Sequence, residues 1–144
     1  MVIGAGGLGC RWARGAHSRV SSESDLMLVD ADMESFKGAS YAHCMHLDPT
    51  GTEKGIAALP ALAAHRTISA LDEIDQVLTN AELVVILTGL GGGTGTGSTI
   101  ELARASRQRG AIVVVVAGLP FAEQSFRSRT VSYTHLTLPT RLPV

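Results

Sequence analysis

Aromatic side chains are scarce in this sequence: Phe, Tyr and Trp together make up 4% of 144 residues, and Trp12 is the single tryptophan. Any core must therefore be built from aliphatic residues. Lysine is limited to Lys37 and Lys54, and neither lies in the main glycine cluster, which excludes a Walker A loop. The two cysteines, Cys10 and Cys44, are far apart and form no redox or zinc motif. That excludes a disulfide scaffold and suits a reducing, cytoplasmic setting. No stretch approaches the ~20 apolar residues of a membrane span, so no direct membrane insertion is expected. The net charge of −1 gives no electrostatic case for nucleic acid or an anionic surface. A strand begins almost at Met1, leaving no room there for a leader peptide, and native residues ahead of Met1 stay an open alternative. A hydrophobic fraction of 45% against 17% charge reads as a globular domain with a real core.

What the sequence does have is glycine, and its densest cluster organises the chain. Gly91-Gly92-Gly93-Thr94-Gly95-Thr96-Gly97-Ser98 follows an apolar run, Leu83 to Leu87, that reads as a buried parallel strand. Thr99 to Arg109 then reads as a helix that stops at Gly110. Strand, glycine turn and helix in that order place backbone N–H groups and a helix N-terminus around phosphate. With no lysine in the loop, amides and threonine hydroxyls would hold the anion. A side chain at Gly95 or Gly97 is expected to intrude on the phosphate's space.

A second glycine turn lies at the start. Val2-Ile3 reads as a strand, Gly4, Gly6 and Gly9 form a G-x-G-x-x-G pattern with Gly7 inside it, and Cys10 to about Ser18 can be helical. Leu26 to Val29 is the next strand and ends in Asp30-Ala31-Asp32, where a dinucleotide fold holds a ribose. Either aspartate could instead cap a helix starting near Met33. Ala42 to Leu47 is a weaker third strand. Its His43 and His46 point to opposite faces, which argues against a shared metal. Ile56 to Arg66 is helical in tendency, with a break expected at Pro60. Ser69 to Asp72 looks like a capping box opening a helix whose Leu71, Ile74, Val77 and Leu78 face a core. Ala111 to Val116 reads as a strand buried on both faces.

The Gly91–Ser98 octet after its apolar strand closely resembles the signature loop of the tubulin superfamily of GTPases, nearest to the FtsZ branch and its archaeal relatives. The resemblance covers residues 2–129. It implies an α/β fold, a doubly wound parallel sheet of Rossmann-like type in order 3-2-1-4-5. It implies GTP and Mg²⁺ as ligands, GTP hydrolysis at the junction between subunits, and head-to-tail filaments of the protein with itself in cell division or cell-shape control. The nucleotide contacts so implied are Gly6, Gly7, Gly9, Asp32, Gly91, Gly92, Gly93, Thr94, Gly95, Thr96 and Gly97. Thr50, Gly51 and Thr52 are the plausible equivalents of a loop near the terminal phosphate. Pro120-Phe121 followed by Glu123 and Arg127 matches a pair that touches sugar and base, while an ungapped count gives Gln124 and Ser128. Leu8, Cys10, Arg11 and Asp30 depart from the commoner family pattern.

Residues 1–130 therefore read as part of a GTP-binding domain. Residues 131–144 break every periodicity, and Val131 to Thr140 can be read as one frame of a common sequencing adapter, so a non-native tail is expected there. The resemblance also implies that the catalytic acidic loop lies further downstream, so that this chain alone is inactive as a GTPase. The first half taken by itself also resembles a Rossmann-type enzyme, either an adenylating activator of ubiquitin-like carriers or an NAD-dependent dehydrogenase.

Overall fold

A computed structural model describes residues 1–20, 24–48 and 59–120. Within them, five strands form one parallel sheet: β1 (Val2–Ala5), β2 (Leu26–Asp30), β3 (His43–His46), β4 (Leu83–Gly89) and β5 (Ile112–Gly118). The order is β3-β2-β1-β4-β5, as the sequence predicts. Val2 pairs with Leu26 on one side and Val85 on the other, so β1 is the central strand. Four α-helices accompany the sheet: α1 (Gly6–His17), α2 (Pro60–Ser69), α3 (Leu71–Leu78) and α4 (Thr94–Gln108). A single 3-10 turn, Met33–Phe36, follows β2.

Alternation along the strands divides the core in two. Ile3, Met27, Val29, Val84 and Ile86 pack with Ile74 and Leu78 of α3 and Leu102 of α4. Val2, Leu26, Leu28 and Leu87 face the other way, onto Cys10 and Ala13 of α1. The apolar stripe of α3 behaves as its spacing predicts, with Ile74 and Leu78 buried and Leu71 and Val77 partly so.

Several local expectations are corrected. Helix α1 begins at Gly6 rather than near Cys10, and α4 begins at Thr94, inside the glycine octet. Glycine is a poor helix former, but here close packing on the sheet overrides propensity. Pro60 starts α2 as its first residue instead of breaking it. Ser69 caps nothing: it is the last residue of α2, its hydroxyl donates to the His65 carbonyl at 3.0 Å, and Ala70 precedes α3 without a side-chain cap. β5 is not buried on both faces. It is an edge strand, and Ile112, Val114 and Val116 are 70%, 46% and 46% exposed. On the described sheet, this stripe and Leu83 are exposed, whereas the opposite face carrying Val84, Ile86, Val113 and Val115 packs into the core with α3 and α4. Thr50, Gly51, Thr52, Glu123, Arg127, Gln124, Ser128 and the tail boundary lie outside the described residues.

Candidate functional site

β1 runs directly into α1, β4 leads into α4 through the four residues Leu90 to Gly93, and the two helix starts meet. At Gly6, with φ of 76°, the chain turns out of β1 in a conformation that L side chains rarely adopt. A Cβ on Gly6 would sit 2.9 Å from the backbone nitrogen of Gly95, so the first turns of α1 and α4 touch through glycine. Around this junction lies a cleft of about 390 Å³, lined by Ala5, Gly6, Gly7, Leu8, Asp30, Asp32, Ser35, Gly89, Leu90 and Gly92 through Gly95.

The electrostatics of the cleft follow from what the helices lack. Neither α1 nor α4 has a side-chain N-cap, and neither has an acidic residue in its first turn. In α4 the Gly97 N–H reaches the Gly93 carbonyl at 2.9 Å, and the amides before it have no intrahelical acceptor. Two sets of orphan donors, each at the positive end of a helix dipole, therefore converge on one space. By contrast, α3 carries Asp72 and Glu73 in its first turn, and the 3-10 turn is capped by Asp32. Helix α2 also lacks a side-chain cap and first-turn acids, but it starts on Pro60, which has no N–H, and its Leu62 and Ala63 amides reach the Leu59 carbonyl. Paired open helix starts, as at the cleft, are what an anionic ligand needs.

The remaining loop residues build the cleft without lining it. Thr96 is 1% exposed, and its hydroxyl accepts from the Gly91 N–H at 3.1 Å, which folds the loop back on α4. Thr99 donates to the Gly95 carbonyl at 2.6 Å, and Thr88 to the Ala5 carbonyl at 3.3 Å. A Cβ on Gly97 would lie 2.1 Å from the Pro60 carbonyl oxygen, and one on Gly9 2.2 Å from that of Leu87. One on Gly95 would meet the Gly89 carbonyl oxygen at 2.6 Å. The expected intrusion of a side chain at Gly95 or Gly97 thus falls first on the protein's own backbone. Gly95 and Gly97 let α4 approach β4, β1 and α2, and Gly9 lets α1 approach β4.

At the β2 end, Asp30 is buried. Its carboxylate accepts from the Ala31 N–H at 2.7 Å and, through a short bond, from the Ser35 hydroxyl. Asp32 accepts from the Glu34 N–H at 3.0 Å while also lining the cleft, so it is both a cap and a cleft residue. Sequence reasoning missed Ala5, Leu8, Ser35, Gly89 and Leu90 as lining residues.

His46 hydrogen-bonds the Ala31 carbonyl at 2.8 Å and meets the ring of Phe36 edge-on, so it holds the β2 turn in place. Cys10 lies beneath the first glycine turn, its thiol directed at the Gly4 and Val29 carbonyls. Burial, reinforced by the nearby Asp30 carboxylate, pushes it up from 9.0 to about 12. Cys10 is therefore a neutral, inert thiol at physiological pH. Its folded pKa lies above the unfolded value, so its contribution is intact below pH 9 and is lost as pH rises toward 12. Stability should fall in that window by ~1.4 kcal/mol per pH unit at most, and Cys10→Ala should flatten that slope in alkaline denaturation curves. At pH 7.5 a maleimide should label exposed Cys44 well before Cys10.

A parallel sheet in this order, with glycine turns after two central strands, defines a doubly wound α/β protein with a cleft at two helix starts. Residues 1–138 match the family model "Tubulin/FtsZ family, GTPase domain". The chain is 28% identical over 131 residues to the cell division protein FtsZ of Haloferax mediterranei, covering 90% of this chain and 34% of that one. Among solved structures, an empty FtsZ dimer of M. jannaschii superposes with a TM-score of 0.82 at 25% identity, over 94% of this chain and 40% of that one. A GTPγS-bound protofilament of CetZ2 from Haloferax volcanii gives 0.78 at 21% identity, over 95% and 44% respectively, and shares the fold. The chain therefore belongs to the Tubulin/FtsZ family. It spans about a third of the length of the curated relatives it matches. The match to the family model over both halves answers the Rossmann-enzyme alternative, which rested on the first half alone.

Proposed function

We propose that this chain binds GTP in the cleft between α1 and α4, as part of a filament-forming GTPase. The observation that carries this reading is the convergence of two uncapped helix N-termini, free of first-turn acids, on one cleft in a member of the Tubulin/FtsZ family. The amides of Gly6, Gly7 and Gly92 to Gly95 would cradle the phosphates. In the parent protein the reading extends to head-to-tail self-assembly in the cytoplasm, with hydrolysis where subunits meet. The curated relatives are named cell division proteins, and one structural relative is a protofilament.

The β2 end of the cleft suits Mg²⁺. Asp30 and Asp32 offer hard oxygen donors, and one carboxylate oxygen of Asp32 has no hydrogen bond to a described residue. Mg²⁺ is commonly held by one or two carboxylates together with substrate phosphates. When bound, it would offset the repulsion between these aspartates and the triphosphate.

Titration of labelled GTP, ATP and NAD tests the reading. GTP should bind selectively, and EDTA or Asp32→Asn should weaken GTP by ~10-fold while changing GMP little. Preference for NAD or ATP over GTP would defeat it.

A further inference from the structure

We propose that Arg11 and Arg14 of α1 supply the cationic contact to the terminal phosphate that the glycine cradle itself lacks. This rests on the GTP reading above. A second cleft, about 360 Å³, is lined by Gly7, Cys10, Arg11, Arg14, Asp32, Glu34 and Ser35. It shares Gly7, Asp32 and Ser35 with the first cleft, so the two are continuous. Arg11 stands one helical turn beyond Gly7, and Arg14 follows at i+3, which puts all three on one face of α1. The side turned to the sheet is taken by Gly9, Cys10 and Ala13.

Two carboxylates line this same cleft, yet neither arginine makes an ion pair or hydrogen bond with a described residue. The acids are engaged elsewhere. Asp32 caps the Glu34 N–H, and Glu34 lies 3.8 Å from Lys37. The guanidinium donors are thus uncommitted beside a space already rich in backbone donors. Guanidinium matches phosphate oxygens in geometry as well as charge.

The polarity of the first cleft sets the ligand's direction. Its β4 end is apolar, formed by Leu8, Gly89 and Leu90, and its β2 end is polar, formed by Asp30, Asp32 and Ser35. A purine belongs at the first end and the terminal phosphate at the second, where the arginines stand. Because Arg11 lies closer to the helix start than Arg14, it should carry more of the effect.

The test uses the full 144-residue chain on a solubility partner, with GTP, GDP, GMP and ATP titrated against wild type, Arg11→Ala, Arg11→Lys and Arg14→Ala. Arg11→Ala should cost ~10- to ~100-fold in GTP affinity, the range for a charge-assisted contact. The cost should be smaller for GDP and nearly nil for GMP. Arg11→Lys should recover part of it, Arg14→Ala should show a weaker loss of the same pattern, and the salt dependence of GTP binding should flatten in both alanine variants. Unchanged circular dichroism separates these losses from misfolding. Equal losses for GTP, GDP and GMP, or no loss at all, would overturn the proposal. So would altered GTP-over-ATP selection with an unchanged GTP-to-GMP ratio, which would place the arginines at the base. If wild type binds GDP and GTP but Arg11→Ala is silent, the arginine assignment alone fails. If wild type binds no nucleotide, the GTP reading fails and the assignment with it.

Discussion

Gly97→Val is expected to unfold the domain, whereas Gly7→Val should leave it folded and unable to bind GTP. The two glycines belong to the two turns at the same cleft but face different things. A Cβ on Gly97 would lie 2.1 Å from the Pro60 carbonyl oxygen and 3.0 Å from Ala63 Cβ, so α2 and α4 would have to separate. Overpacking against backbone cannot relax by a rotamer change, and a loss of at least ~3 kcal/mol is expected. At Gly7 the atom nearest to an added Cβ is a carboxylate oxygen of Asp30 at 3.9 Å, and the residue is exposed in the cleft. Valine there should cost ~1 kcal/mol or less in stability. Its methyl groups would occupy the space beside the orphan amides, displacing phosphate. Gly95→Val should combine both defects, since its Cβ would strike Gly89, Thr88 and Ala5 beneath the cradle. Urea denaturation and nucleotide titration of the three variants distinguish these outcomes. A stable Gly97→Val, or a Gly7→Val that binds GTP normally, would contradict this packing.

The strands were legible because their apolar runs are dense and bounded by turn residues. The order of the sheet followed from the family resemblance. Local signals mislead wherever their meaning depends on a distant partner. Thr94 to Ser98 looks like loop because glycine disfavours helix, yet the glycines are what allow α4 to start against the sheet. Ile112 to Val116 looks fully buried because composition cannot say which strand ends the sheet. Ser69 has the chemistry of a cap, but α2 already occupies its backbone. Of the residues that line the candidate cleft, Gly6, Gly7, Asp32 and Gly92 to Gly95 were singled out by glycine spacing and family resemblance. Arg11, Arg14 and Ser35 come together only once the 3-10 turn packs beside α1.

The 144-residue chain by itself is expected to bind GTP and to turn over none. On the proposed reading its cleft would hold a triphosphate by amides, by Mg²⁺ at the aspartates and by Arg11, and such contacts would stabilise charge on the phosphates. Hydrolysis asks for more: a group placed to orient the attacking water in line with the bond that breaks. Among the described residues of the two clefts the acids are Asp30, Asp32 and Glu34, all at the β2 end; the two aspartates are hydrogen-bonded to their own turn, and Glu34 lies beside Lys37. The family resemblance places the missing acids on a loop of the neighbouring subunit, further along the chain. The exposed stripe of Ile112, Val114 and Val116 is an apolar surface that a parallel sheet normally covers. The isolated chain should therefore also aggregate readily. Extending the gene into its downstream native sequence should restore solubility. It should also give turnover that rises more than linearly with protein concentration, because each site would need two subunits. Phosphate release measured across a dilution series decides the matter. Steady turnover by dilute, monomeric 144-residue chain would show that one subunit suffices, and would remove the need for an acid supplied by a neighbour.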